Sequence, residues 1–520
     1  MATTDVHECA CGVCRGSRVA LQQILRLLDV YGWLLDSYVV DFFQENLWDK
    51  LPIEWRHIME VVTPEELGSW LLGESQSKRS WPLTLLALRK CIWSFGINRD
   101  HVNPKIIQCR NGLNLRKVVN PDRISMEKNE SNTRSSNGCN SRETLLKLQN
   151  HFTKHVKMKK RHEIEKIAQI ATDCASAADS ERIVDVGAGM GHLARVLAYK
   201  YGLCVLCIEQ QESLSRRARE CDGEFFITVR KSLPDFKGKK PEHVTLEVNT
   251  SSDTRTKLPD CINEIFNNRF NVKADRQGFG FIGLHPCGDL AATLLRLYSE
   301  QENIKFICIV GCCYMKLTLE ETEEKPRGYP LSRYLSQLKN NSLSYTALEV
   351  GCHAIESYCD KLKTGKIEDL IVHAYRAALE SILVAKNEKL RHAHLKSVKV
   401  TRGITFEWLV LSLFGYSCCC DYFSRAMYIF SYCKMATANL PSEYQPNDSD
   451  FKKPCVTEFL KSWWRAVAFS SLRFMLAPLV ETVVLLDRFL FLSEKNLAPT
   501  LTPIFDPRLS PRNFVLTSIK

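Results

Sequence analysis

The residues of this chain whose types and spacing could do chemistry gather at three short turns, each following an apolar run. The first reads Asp185-Val186-Gly187-Ala188-Gly189-Met190-Gly191 and leads into a helical run from His192. Glycines between a strand and a helix let the backbone approach a ligand closely, and the unpaired N–H groups of the helix start face it. Glu209 closes the next apolar run, about twenty residues on, where a doubly wound sheet sets an acid against ribose hydroxyls. Asp185, Gly187, Ala188, Gly189, Gly191 and Glu209 are therefore candidate cofactor contacts, joined by Leu284 and His285 from the second turn.

That second turn is Leu284-His285-Pro286-Cys287-Gly288-Asp289-Leu290, and the third is Val310-Gly311-Cys312-Cys313-Tyr314. In open α/β sheets, ligands sit beyond the carboxyl ends of the strands, so these turns should share one crevice. An imidazole titrates near neutrality, which makes His285 a candidate general base; a structural hydrogen bond is its plainer role. Asp289 either caps the helix that opens at Leu290 or contacts a ligand. The adjacent cysteines are either small polarizable filler or, with Cys287, a nucleophile and its helper. His285, Asp289, Cys312, Cys313 and Tyr314 form the candidate catalytic set.

The elements that must position these turns follow from periodicity. Apolar strands "RIVDV", "CVLCIE", "HVTLEV", "GFIGL" and "IKFICIVG" alternate with helical runs, the signature of a parallel sheet covered on both faces. The chain has 520 residues, 45% hydrophobic and 25% charged, so several domains are expected. Residues 17–115 read as an all-α domain, with a capping box at Thr63-Pro64-Glu65-Glu66. Residues 123–144 are Asn/Ser-rich and read as a disordered linker. Residues 145–350 carry the α/β sheet, 351–497 a large helical insertion, and 498–520 two short strands returning to the sheet. The basic run Lys154–Ile167 reads as a solvated helix face, or as a surface for a polyanion.

The 22 cysteines include neighbours in sequence, and the N-terminus has no apolar signal segment; both point to free thiols in an intracellular protein, cytoplasmic or nuclear. "HECACGVC", with His7, Cys9, Cys11 and Cys14, is half of a metal site without an evident second half, so a reduced flexible tail and no metal are expected. The most apolar stretch, Val467–Leu492, contains Arg473, Glu481, Asp487 and Arg488 and reads as a buried helix pair rather than a membrane-associated helix. A formal charge of +11 permits a polyanionic partner.

The spacing G-x-G-x-G led by Asp185 resembles motif I of class I methyltransferases rather than the dinucleotide fingerprint G-x-G-x-x-G. The resemblance implies a Rossmann-like doubly wound α/β fold that binds S-adenosylmethionine. The second turn lacks the Asn-Pro-Pro-aromatic element of nucleic-acid amine methyltransferases, which disfavours an adenine-N6 acceptor. Pro286-Cys287 with Cys312-Cys313 is similar to the cysteine pair of RNA cytosine-5 methyltransferases, although the flanking residues match poorly. "KKRHEI", "GLHPCGDLAATLLRLY", "IVGCCYMKL" and "FDPRLSPRNFVLTSIK" together resemble the methyltransferase-like protein 25 family across nearly the whole chain. That family implies a class I methyltransferase of unassigned acceptor, with structured RNA preferred over protein. A cofactor-binding scaffold without catalysis and an RNA cytosine-5 or 2′-O-methyltransferase are the alternatives.

Overall fold

The computed structural model describes residues 8–74, 79–110, 156–232, 239–249, 251–270, 278–323, 325–365, 368–396, 432–451 and 453–520. The expected linker at 123–144 lies outside them, as does most of the expected helical run Trp408–Met435. The chain forms two compact units. One comprises residues 1–29, 95–354 and 479–520, and the other residues 30–94 and 355–478.

The first unit holds one eight-stranded sheet. Its strands are β1 (Ile107–Gln108), β2 (Arg182–Val186), β3 (Cys204–Glu209), β4 (Glu242–Thr245), β5 (Phe279–Cys287), β6 (Ile304–Cys312), β7 (Thr500–Pro503) and β8 (Phe514–Ile519). The spatial order is β1-β7-β8-β6-β5-β2-β3-β4. The pairs β4–β3, β3–β2, β2–β5 and β5–β6 are parallel, while β8 is antiparallel to β6 and β7. Every residue of β2 and β3 is buried, which explains why Val, Ile, Leu and Cys make up most of both: a parallel strand at the centre of a covered sheet has no solvent face. The chain runs outward from β2 through β3 to β4, then returns to β5 on the other side of β2. The carboxyl ends of β2 and β5 therefore diverge, leaving a crevice at the switch point.

Helices α1 (Met158–Ala177), α2 (His192–Tyr201), α3 (Glu212–Ser232), α4 (Ser252–Phe270) and α5 (Asp289–Glu300) accompany the parallel strands. Ile164, Ile167 and Ala171 of α1 share a buried cluster with Ala194 and Leu197 of α2, Val205 of β3 and Val310 of β6. Burying an aliphatic side chain of this size contributes roughly 1.5–3 kcal/mol, so this cluster dominates the unit's cohesion. The C-terminal strands lie between β6 and β1, with Ile309 opposite Leu516. Residues 17–115 are not wholly helical: Ile107–Gln108 adds an antiparallel edge to β7.

The second unit is helical among its described residues. Thr63 and Glu66 form the reciprocal capping box at the start of Pro64–Leu72, each side chain 3.2 Å from the other's backbone N–H. Trp70 and Trp81 stack with ring centroids 4.0 Å apart. Glu368–Lys386, Pro454–Lys461 and the segment around Cys433 share a buried cluster through Leu379, Leu460 and Cys433. The apolar stretch Val467–Leu492 is divided between two helices, Trp463–Met475 and Ala477–Glu494. Among the described residues, no helix is long and apolar enough to cross a membrane.

The close fit of β5 against β6 turns on Gly280, where a Cβ would stand 2.0 Å from the Phe306 ring. Phe306 is fully buried and has nowhere to move. Gly280→Ala is therefore expected to destabilise the sheet unit by about 1–3 kcal/mol, read as a lower midpoint in thermal or urea unfolding.

Candidate functional site

The first wall of the crevice is the bend after β2. Gly187, Gly189 and Gly191 all have positive φ, at 75°, 55° and 68°. At Gly191 the need for glycine is steric as well, because a Cβ would meet His243 at 2.8 Å, whereas at Gly189 it would meet nothing within 4 Å. The bend is thus supported from below and open above. Its support is a buried polar cluster: His243 Nε2 lies 2.5 Å from Asp222, Arg195 pairs with the same carboxylate, and Arg195 donates to the Met190 carbonyl at 2.6 Å. The sequence offered no signal for this cluster, because its three members come from three separate elements.

Glu209, at the end of β3, faces the bend. Its Oε2 accepts the Gly189 N–H at 3.0 Å and its Oε1 accepts the Gln211 N–H at 3.0 Å. Asp185 is 2% exposed, and its Oδ2 has no hydrogen-bond partner among the described residues. Burial pushes its carboxyl up to about 7; the neighbouring Glu209 charge adds to the rise and Lys160 opposes it.

The second wall is the end of β5. Its register with β6 breaks between Leu284 and Cys287, and His285 adopts φ 70°, a rare conformation for a residue with a side chain. Gly288 follows at φ 56°; a Cβ there would stand 2.7 Å from the Lys316 carbonyl, so glycine lets the β5 and β6 turns touch. His285 Nε2 lies 3.0 Å from Glu163 of α1, which also accepts from Ser510 at 2.7 Å. Burial works against ionisation of Glu163, yet the His285 and Ser510 hydrogen bonds and the Lys159 charge bring its carboxyl down to about 2. With Nε2 donating to that carboxylate, His285 keeps Nδ1 as an acceptor. The sequence reading placed Glu163 in a basic solvated face; the structure buries it at 1% exposure, on the side of α1 that meets the sheet.

Between these walls lies a crevice of about 780 Å³. Gly187, Glu209, His285, Cys287, Asp289 and Lys316 are among the residues that line it. The structure so brings together Gly187, Glu209, His285 and Asp289 from the expected set. Leu246 and Asn249, just beyond β4, also line it and were not anticipated, because an apolar and a polar residue in a loop carry no distinguishing pattern.

Several expected residues stand elsewhere. Asp289 does not cap its helix: Gly288 holds the N-cap position, while the Asp289 carboxylate accepts the Thr318 N–H at 2.8 Å and hydroxyl at 2.6 Å and pairs with Lys325 at 2.9 Å. Leu284 is 8% exposed and belongs to the apolar cluster under the sheet. Tyr314 is 1% exposed, with its hydroxyl 3.4 Å from Glu481 and Arg488 and Arg512 over its ring. Its aromatic body is used in packing, away from the crevice lining. Cys312 and Cys313 are likewise behind the lining, but they back Cys287, whose Sγ is 3.2 Å from Cys312 and 3.5 Å from Cys313. The hydrogen bond from Cys312 brings the Cys287 thiol down to about 5 against the effect of burial, with help from Cys313 and the nearby Lys316 charge.

The sheet order, the switch-point crevice and the bare bend define an α/β class I methyltransferase fold. Residues 159–320 match the family model described as "Methyltransferase domain". Over nearly its whole length the chain is similar to the human protein named "Probable methyltransferase-like protein 25", at 22% identity covering 97% of each chain. The mouse protein of the same name is also 22% identical, over 70% of this chain and 75% of its own. The solved plantazolicin methyltransferase BpumL in complex with SAH is 12% identical, with a TM-score of 0.20 over 44% of this chain and 73% of its own. So low a score carries no weight for fold or ligand.

Two outcomes check the site's electrostatics. Asp185 has a folded pKa near 7 against an ordinary value of 3.8. Its contribution to stability is complete below the ordinary value and is lost as pH rises through about 7. The ligand-free protein should lose thermal stability between about pH 4 and pH 7, by at most about 4 kcal/mol from this group, and Asp185→Asn should flatten that decline. Iodoacetamide mapped by peptide mass spectrometry at about pH 6 should alkylate Cys287 well before the buried Cys312.

Proposed function

We propose that this chain is an S-adenosylmethionine-dependent methyltransferase whose cofactor lies in the crevice between the Gly187–Gly191 bend and Glu209. The observation that carries the proposal is the Glu209 carboxylate, held by the Gly189 and Gln211 N–H groups at the rim of a crevice whose bend is open above Gly189. A carboxylate so fixed keeps lone pairs for a ribose diol. The open face at Gly189 fits an adenosyl group, and the buried Asp185 carboxyl, whose Oδ2 has no hydrogen-bond partner among the described residues, fits a ligand that brings positive charge. When bound, the cofactor supplies an activated methyl group on a sulfonium, so no metal or covalent catalyst is required of the protein.

The chain's own residues then align and deprotonate the acceptor. His285, oriented by Glu163, offers Nδ1 as a general base, and Asp289 is fixed against Thr318 and Lys325 at the same rim. Glu163 is a positioning residue, acting through His285. On the crevice lining Lys316, Lys325 and Arg296 are matched by Glu209, Glu247 and Asp289, so the preference for RNA over protein rests on the formal charge of +11 of the whole chain. The low-pKa Cys287 on the same lining favours, as a second reading, a cytosine-5 acceptor attacked by its thiolate.

Isothermal titration of S-adenosylmethionine tests the cofactor site. Glu209→Gln should weaken binding by about ten- to a hundredfold, the worth of hydrogen bonds to a charged group; its amide nitrogen would also face one of the two N–H donors, so affinity is measured well below the variant's unfolding midpoint. Equal affinity in the variant and the wild type would remove Glu209 from the cofactor site. A tritiated-methyl assay on RNA and protein from cells lacking the chain then identifies the acceptor. Binding without transfer to either would favour a cofactor-binding scaffold.

A further inference from the structure

Four cysteines converge at the β1 edge of the sheet, with β7, β8 and β6 between that edge and the crevice strands. Cys9, Cys11 and Cys14 come from the N-terminal segment, and Cys109 directly follows β1. Cys109 Sγ lies 3.6 Å from that of Cys9 and 3.5 Å from that of Cys14, and all four sulfurs are within 4.8 Å of one another. Cys9, Cys14 and Cys109 are buried and Cys11 is half-buried. The flexible tail expected from the sequence is therefore corrected here: this segment is packed, and the missing fourth ligand is a single cysteine about a hundred residues away, outside the paired spacing that marks such sites in sequence.

Four thiolates at about 2.3 Å from one tetrahedral Zn²⁺ stand about 3.8 Å apart, close to the 3.5 and 3.6 Å found at Cys109 and inside the 4.8 Å that bounds all four. Donors that steady a metal thiolate are also present. The Cys14 N–H points to Cys11 Sγ at 3.4 Å, and the Ser493 hydroxyl lies 3.1 Å from Cys14 Sγ. Buried cysteines serving as small hydrophobes have no need to meet four at a time.

We propose that Cys9, Cys11, Cys14 and Cys109 form a closed tetrathiolate zinc site that fastens the N-terminal segment to the edge of the sheet. Binding replaces the thiol protons, released to solvent, with four Zn–S bonds. Four protein ligands leave no open position, so the site is structural and separate from methyl transfer. The Cys109 N–H also donates to the Pro499 carbonyl at 2.9 Å, which joins the metal to the β1–β7 edge.

The test is elemental analysis of the full chain, purified under reducing conditions without chelator. About one zinc per chain is expected, falling at least about tenfold in Cys9→Ser/Cys109→Ser and unchanged in Cys287→Ser/Cys312→Ser, which controls for the thiols at the crevice. The first variant removes buried groups, so wild-type protein is also stripped and reloaded with Co²⁺. The charge-transfer and d–d absorption of a tetrahedral cobalt tetrathiolate is expected. The proposal is overturned by wild-type protein with less than about a tenth of an equivalent of zinc and no such spectrum. Zinc that leaves with the Cys287/Cys312 pair instead, or a disulfide among the four thiols in the intact mass, overturns it equally.

Discussion

The carboxylate of Glu209 ties together the bends after β2 and β3, which the Gly187 N–H also links by donating to the Ile208 carbonyl at 2.8 Å. One oxygen accepts the N–H of Gly189 after β2, and the other accepts that of Gln211 after β3. Each bend leaves the sheet at a carboxyl strand end, where peptide N–H groups lack strand partners. A buried anion with two charge-assisted hydrogen bonds meets that need and fixes the separation of the bends. Strand order sets the walls of the crevice, and this link holds the Gly189 backbone beside the carboxylate on one of them.

Support for the bend lies beneath it. Asp222 is fully buried and balanced by Arg195 and His243, and Arg195 in turn holds the Met190 carbonyl. The same His243 ring excludes any side chain at Gly191. A buried ionic cluster contributes little net stability, because desolvation offsets most of the attraction; its value here is the single conformation it imposes on the loop.

The opposite wall uses strain for the same end. Positive φ at His285 and at Cys313 turns each strand end out of line, and Gly288 lets the two turns approach to van der Waals contact. The result gathers Cys287, Cys312 and Cys313 and presents His285 to both the crevice and Glu163. Residues that adopt costly backbone conformations are held by their surroundings, and here those surroundings are the packed α1 helix and the C-terminal segment that supplies Ser510.

The sequence by itself determined the strands and the bend. Short apolar runs rich in Val and Ile, bounded by turns and alternating with helical runs, mark strands buried on both faces, and Asp185-Val186-Gly187-Ala188-Gly189 at the end of one is a ligand-facing turn, with Glu209 at the end of the next strand. Thr63 and Glu66 were legible as a helix start for the same reason: the interaction is local. Tertiary structure decided whatever depends on partners distant in sequence. Asp289 looks like a cap until Thr318 and Lys325 are beside it, and Glu163 looks solvated until His285 and Ser510 reach it. Tyr314 reads as a crevice residue until Arg488 and Arg512 cover its ring, and Cys9, Cys11 and Cys14 read as a loose tail until β1 delivers Cys109. Hydrophobic periodicity encodes which face of an element is buried, but not which polar groups of other elements will be waiting there.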